Sequence, residues 1–261
     1  MMGQLSTAAA AAVRHAGTRM LRLYSTETRQ AGLTELLASI RDYEAAVVDT
    51  LRPALAEILP SAGWLNDEHG SGPLAAGEWW LIDPIGGNIN AVHGMTDWNI
   101  GVSLVRYGRP ALAVIYFPLL DEMFTATAGG GAFLNGVPLR VSTKKSLDGA
   151  LVGTGQAKPG QGVDVAERMG SSFAAMMEQA IYVRISVPVT HQLAQVAAGR
   201  MDLHWQFDNV RSHVAGVLLV QEAGGIVTDL DGRPWKLTST GYVAATPGVH
   251  AAALKILAAR P

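Results

Sequence analysis

Trp79-Trp80-Leu81-Ile82-Asp83-Pro84-Ile85-Gly86-Gly87-Asn88-Ile89-Asn90 decides the fold, and it reads in two parts. Trp79 to Ile82 is a short apolar run of strand type, bounded by Asp83-Pro84. Gly86-Gly87-Asn88 then marks a place where a helix begins. Amides without intrahelical acceptors and the positive end of a helix dipole favour a phosphate, sulfate or carboxylate at such a place.

Around this stretch the chain changes texture. Two helical patterns come first, at residues 6–23 and 33–59, the second with an expected interruption at Pro53 because proline lacks an amide donor and crowds the preceding turn. Short apolar runs follow at residues 79–82, 98–107, 112–117, 122–128 and 132–139, separated by glycine and turn residues. They read as a meandering antiparallel sheet, with Gly129-Gly130-Gly131 and Asn135-Gly136 at the reversals. The glycine run is not a phosphate-binding P-loop, since no Lys-Ser/Thr pair or helix follows it. After Lys144-Lys145, read as a solvated corner, strands at 150–154, 181–185, 202–206 and 225–228 alternate with helices at 163–179, 191–198, 212–223 and 250–259. Residues 1–145 and 146–261 are the two halves this alternation predicts.

Composition narrows the function classes. A chain of 261 residues, 49% hydrophobic and 16% charged, can bury a sizeable core. Its net charge of −2 provides no basic field for nucleic acid, so none is expected as a partner. No apolar run approaches the roughly 20 residues that span a bilayer, so no membrane segment is expected. The absence of cysteine rules out disulfides, thiolate metal sites and a cysteine nucleophile, and fits a cytoplasmic setting. Residues 1–26 contain arginines and no acid, which suits a transit peptide. The favoured reading is an amphipathic first helix, with Leu5, Ala9, Ala12, Val13, Ala16, Met20 and Leu21 on one stripe.

Several motifs resemble the inositol monophosphatase family. The central stretch is similar to its W-x-I-D-P-I-D-G-T-x-N-F pattern, and Val114-Ile115-Tyr116-Phe117-Pro118, Asp121-Glu122-Met123-Phe124 and residues 129–136 to its GVVYDP, DE-F and GGGAFLNG runs. Residues 196–202, 222–229 and 244–248 match later motifs in order. The resemblance implies an α+β fold, a layered αβαβα sandwich of the sugar phosphatase type, with the active site where the halves meet. It also implies a homodimer, while a small-molecule substrate carrying a phosphate or carboxylate group is inferred from the helix start at Gly86-Gly87-Asn88 and the substitutions beside it.

The same resemblance places the family's metal ligands. Asn66-Asp67-Glu68 stands at a Gly-Glu-Glu motif, so Asp67 inherits the first ligand; Asp83 matches the shared aspartate, and the Ile85 carbonyl a backbone ligand. Gly86 and Ser212 stand where two further aspartates belong, the latter in a W-D-x-A-A-G motif that here reads Arg211-Ser212-His213-Val214-Ala215-Gly216. Asn88 replaces a threonine that aims the attacking water, and Glu44 falls by spacing near an upstream aspartate. Two-metal phosphoryl chemistry needs carboxylates to hold both ions, so no metal or a single magnesium on Asp67, Asp83 and Ile85 is the expectation.

Acid–base chemistry would then fall to groups beside these motifs. His69, His93 and His213 are the candidate proton carriers, with Glu68 beside them. Gly86, Gly87, Asn88, Ser212, Asp208 and His191 are the candidate substrate contacts, the last in a remodelled Pro188-Val189-Thr190-His191-Gln192 segment that a capped helix start at Thr190 also explains. Each histidine has a surface or packing role as its competing account, and Trp64, Trp79, Trp80 and Trp98 are read as core. The leading expectation is metal-independent cyclisation, isomerisation or hydrolysis of a small anionic metabolite. A divergent magnesium-dependent phosphatase and a catalytically silent binding homologue stand as alternatives.

Overall fold

In a computed structural model, which describes residues 2–27, 30–65, 67, 69–155 and 161–259, the helical and strand patterns become five layers. The outer pair is α1 (Met2–Leu21) and α2 (Leu33–Ile58). Their apolar stripes, including Ala9, Val13, Ala16 and Met20 on one and Val47, Leu51 and Leu55 on the other, pack on one face of the first sheet around Trp80, Ile100, Leu104 and Val114. Pro53 does not interrupt α2: its ring is on the exposed side while Leu51 and Leu55 anchor the turn beneath it.

The first sheet runs in chain order: β1 (Gly63–Leu65), β2 (Glu78–Gly86), β3 (Asn99–Arg106), β4 (Arg109–Phe117), β5 (Glu122–Thr127), β6 (Gly131–Leu134) and β7 (Val137–Pro138). All its pairings are antiparallel except β1 with β2. The expected strand at 132–139 divides at Asn135-Gly136, where both residues have positive φ, 48° and 81°. Its other face packs on α5 (Val189–Ala197) and α6 (Val214–Glu222), which continues a 3-10 turn, Arg211–His213. Glu222 at the end of α6 accepts hydrogen bonds from the amides of Gly129 and Gly131 (2.8 and 2.9 Å), tying the glycine turn to the helical layer.

The second sheet has the order β11-β12-β10-β8-β9, with β8 (Leu151–Thr154), β9 (Tyr182–Ile185), β10 (Leu203–Gln206), β11 (Ile226–Thr228) and β12 (Tyr242–Ala245). Alternation along β10 sends Leu203 and Trp205 to an outer core with α4 (Val163–Met177) and α7 (Pro247–Ala258), and His204 and Gln206 toward α5 and α6. The layers are thus helices, sheet, helices, sheet, helices. Lys144 is not a free corner: its ammonium lies 2.9 Å from Oδ2 of Asp202, a carboxylate only 2% exposed that also accepts from Ser142 Oγ and the Leu151 amide. Among the described residues no helix is long and apolar enough to cross a membrane.

Candidate functional site

The end of β2 builds the site. The register of β2 against β3 shifts between Asp83, opposite Gly101, and Gly86, opposite Asn99, a bulge of the kind that re-aims side chains at the end of a ladder. Gly87 follows with φ +80°, and a Cβ there would lie 2.8 Å from Pro188 Cδ and 2.9 Å from the Asp97 carbonyl oxygen, so only glycine fits. The chain then enters α3 (Asn88–Val92). Asn90 fastens this corner to the facing half by donating to the carbonyls of Asp97 (2.9 Å) and Val187 (2.8 Å).

Between this corner, the start of α5 and the end of β10 opens a cleft of about 470 Å³. That size suits a small organic molecule. Ile85, Ile89, Val187, Pro188, Val189 and Val210 give it an apolar side. Its polar side carries Asp83, Asn88, Gln206, Asp208, Ser212 and His213, with His69 at the rim and exposed. The sequence-derived positions Asp83, Ile85, Gly86, Gly87, Asn88, Asp208, Ser212, His213 and His69 therefore meet around one space.

Other expected positions lie elsewhere. His93 is exposed on the far end of α3, its Nδ1 2.7 Å from the Ile89 carbonyl, and does not line the cleft. His191 packs on Phe117 with ring centroids 4.8 Å apart, and burial holds its pKa below the ordinary histidine value. Asp67 is off the cleft wall and pairs with Arg211, whose Nη1 is 3.6 Å from Oδ2 and 3.3 Å from the Asp67 carbonyl. Glu68 lies outside the described residues. The four tryptophans of the sequence reading line no part of the cleft, and Trp80 and Trp98 are fully buried.

Position 86 has no room for a side chain. A Cβ built on Gly86 would sit 2.8 Å from Asn99 Oδ1, 3.0 Å from Asn99 Nδ2 and 3.0 Å from Asp83 Oδ2. Asn99 is completely buried and accepts a hydrogen bond from Thr190 Oγ1 (3.1 Å), so it cannot swing into water. Thr190 is thereby not a cap: α5 begins one residue earlier and its N-cap is Pro188. Opposite, Asn88 donates to Glu44 Oε1 of α2 at 2.9 Å, a contact that the sequence reading did not anticipate. Among the described residues, no group of three or more His, Asp or Glu side chains is gathered so as to hold a metal ion.

Behind the polar side lies a second polar layer that sequence reading passed over. Gln192 donates to the carbonyls of Thr154 and Ser186 (2.8 and 2.7 Å) and places its Oε1 3.3 Å from His204 Nδ1. His204 is fully buried, and burial, reinforced by nearby His213, pushes its pKa down to about 3. The Tyr242 ring stands 5.9 Å from that of His204 and 5.7 Å from that of His213; burial raises its pKa well above the ordinary tyrosine value. No alternation signalled this layer, since β10 and β12 are buried along their whole length; only the pairing of Gln206 with Tyr242 brings it together.

Comparison with known proteins joins these observations. The sequence profile described as the inositol monophosphatase family matches residues 1–260. The Nus factor SuhB of Pseudomonas aeruginosa is 37% identical over 198 residues, 74% of this chain and 73% of that protein. The inositol-1-monophosphatase of Rhizobium meliloti is 35% identical over 213 residues, 81% and 79% of the two chains. The crystallised inositol monophosphatase of Anabaena (Nostoc) superimposes with a TM-score of 0.81 at 27% identity, covering 99% of this chain and 97% of the other. With the profile running through all but the last residue and the layered architecture shared along its length, the chain belongs to the inositol monophosphatase family.

Proposed function

We propose that this protein is an enzyme of small-molecule metabolism that uses the family cleft for acid–base chemistry without a two-metal centre. The family is generally one of magnesium-dependent phosphatases. The observation that carries the proposal is position 86, where a ligating carboxylate would have to displace the buried, hydrogen-bonded Asn99. Ser212 in place of a second carboxylate, and Arg211 beside Asp67, support the same reading. In this reading Gly86 and Ser212 leave the site short of the carboxylates that a magnesium pair needs.

In this reading His213, buried on the cleft wall, is the central proton carrier, and His69 at the rim is the second. Imidazole exchanges protons near neutral pH and can act at either face of a bound metabolite. Ser212 donates or accepts a hydrogen bond beside it, and Asp83 orients the ligand. Cyclisation, isomerisation and hydrolysis are the reactions such groups serve.

The second reading is a divergent phosphatase holding one magnesium on Asp67, Asp83 and the Ile85 carbonyl, and it is favoured by the relatives named inositol-1-monophosphatase. A panel of phosphomonoesters assayed with magnesium and with chelator separates the two: turnover that is robust and abolished by chelation refutes the metal-free enzyme. A silent binding homologue is the third reading, and wild-type turnover in both His213→Ala and His69→Ala would refute the roles given to these histidines. The protein works as a cytoplasmic homodimer in this proposal. Ile181, Tyr182 and Ile185, exposed on or next to the edge strand β9, form an apolar edge that pairing would cover, and light scattering reads the mass directly.

A further inference from the structure

The hydrocarbon in the cleft is the property least like a polyol site. Ile89 of α3 and the Val187-Pro188 segment ahead of α5 form one corner of it, fastened by the Asn90 amide on the Val187 carbonyl (2.8 Å) and by the Pro188 ring against Gly87. Val210 adds a third branched side chain from just before the 3-10 turn. Ile89 is 37% exposed, and Val187 and Val210 are half-buried. None of these three packs into a hydrophobic core of the described residues. Aliphatic side chains that three segments bring to one cavity, and that no core uses, lose their water to a ligand with hydrocarbon of its own.

The polar side chains of that corner are engaged within the protein. Thr190 Oγ1 donates to Asn99 Oδ1 (3.1 Å), Asn90 donates to the Asp97 carbonyl as well (2.9 Å), and Asn88 donates to Glu44 (2.9 Å). A ligand hydroxyl placed there exchanges water for hydrocarbon, which weakens binding by about tenfold. The hydrogen-bonding groups that the cleft holds out lie at another point of its wall, where Asp83 and Ser212 also border a second, smaller cavity together and His213 follows Ser212. The two ends of the cleft thus call for different chemistry.

We infer that the cleft takes a small amphipathic metabolite, with a branched or alicyclic hydrocarbon side on Ile89, Val187 and Pro188 and its polar groups confined to the end that meets Asp83, Ser212 and His213. A polyol such as inositol, hydroxylated all round its ring, carries hydroxyls onto the aliphatic corner in any pose and is excluded as the preferred ligand. The inference rests on the cleft being the enzyme's site, whichever way its metal content falls.

Chemical-shift titration of the full-length 15N-labelled protein tests it with two pairs of probes that share one carbocyclic frame: cyclohexanol against myo-inositol, and cyclohexyl phosphate against inositol 1-phosphate, each in EDTA and in magnesium. The cyclohexyl member of each pair is expected to bind about tenfold or more tighter, with shifts at Ile89, Val187 and Val210. Val187→Thr and Ile89→Thr, which place a hydroxyl on the corner, are expected to narrow that ratio severalfold while the urea midpoint stays; if either does not fold, Val210→Thr replaces it. An inositol member that binds as tightly as its cyclohexyl partner in either pair, or a ratio that no variant moves, overturns the inference and leaves the cleft standing as the site. Shifts at the cleft residues from none of the four probes overturn the reading of the cleft itself. Magnesium dependence of the phosphate pair bears on the metal-free reading alone, because the inference is read from the ratio within a pair.

Discussion

Returning the family carboxylate to position 86 should damage this protein rather than restore it. In Gly86→Asp the new Cβ arrives 2.8 and 3.0 Å from the two polar atoms of Asn99, and Asn99 has no route to solvent. Overpacking of this kind costs about 1–3 kcal/mol. Displacing Asn99 from Thr190 Oγ1 adds about 1 kcal/mol for the lost bond. The carboxylate also comes close to Asp83, which is 9% exposed, and two such charges about 5 Å apart repel by about 3 kcal/mol at an effective dielectric of about 20, unless they share a proton. Part of the repulsion relaxes by protonation, so the sum expected at pH 7 is about 4 kcal/mol, or a midpoint lowered by about 10 °C for a chain of this size. Urea unfolding followed by tryptophan fluorescence measures it. Adding Asn99→Ala should return about 2 kcal/mol, a positive coupling of the size seen for side chains in contact. A Gly86→Asp protein within about 1 kcal/mol of wild type, or strict additivity of the two substitutions, would refute the claim that Asn99 occupies the lost ligand's space.

Three further expectations follow from the buried polar layer and the rim. Tyr242→Phe removes a buried hydroxyl that has no partner among the described residues, so stability should change by less than about 1 kcal/mol or rise; a loss above about 2 kcal/mol in urea unfolding would show that the hydroxyl is bonded, to an internal water for example. His204 is neutral in the folded protein down to pH of about 3, while the unfolded chain takes up its proton below about 6.5. The unfolded state therefore binds the extra proton between those values, and stability falls as pH is lowered through that window: about 2 kcal/mol from pH 7 to pH 5 for this group, a drop that His204→Gln should abolish in unfolding curves at the two pH values. Arg211→Met frees Asp67 and Ser71, whose carbonyls the guanidinium holds, and limited proteolysis should cut beside them faster while the global midpoint hardly moves.

What could be read from the chain depended on how locally each feature was encoded. The first sheet was legible because its strands follow one another in sequence and its reversals carry glycine, down to the Asn135-Gly136 turn. β12 went unread because Tyr242 to Ala245 are all buried: a strand covered on both faces shows no alternation. Pro53 misled for the opposite reason, since its local rule was overridden by the packing of Leu51 and Leu55. In the site, Asp83 announced itself as a match to a known pattern, and Gly86 and Ser212 as departures from it. Asn99, which gives the Gly86 change its meaning, did not: thirteen residues separate the two, and only the antiparallel register brings them together. Arg211 and Tyr242 reach the cleft region from the other half, through pairings that no local signal encodes.

The close packing of Asn99 on Gly86 bears on whether, in the proposed reading, this cleft is a working site or the remains of one. Loss of a ligating side chain with nothing else changed leaves a hole, and a buried hole destabilises the fold in proportion to its volume. Here the volume is taken by Asn99, which reaches across from β3 and links the first sheet to α5 through Thr190, while Glu44 meets Asn88 on the other side of the corner. At the rim, Arg211 balances Asp67, a carboxylate that would otherwise add to the negative field. These contacts, from β3, α2 and the 3-10 turn, surround a cleft that stands open at about 470 Å³. A fold that needed only stability would be served as well by closing that space with apolar side chains. That it stays open, with Asp83, Asp208 and His213 on its wall, is the argument for a ligand.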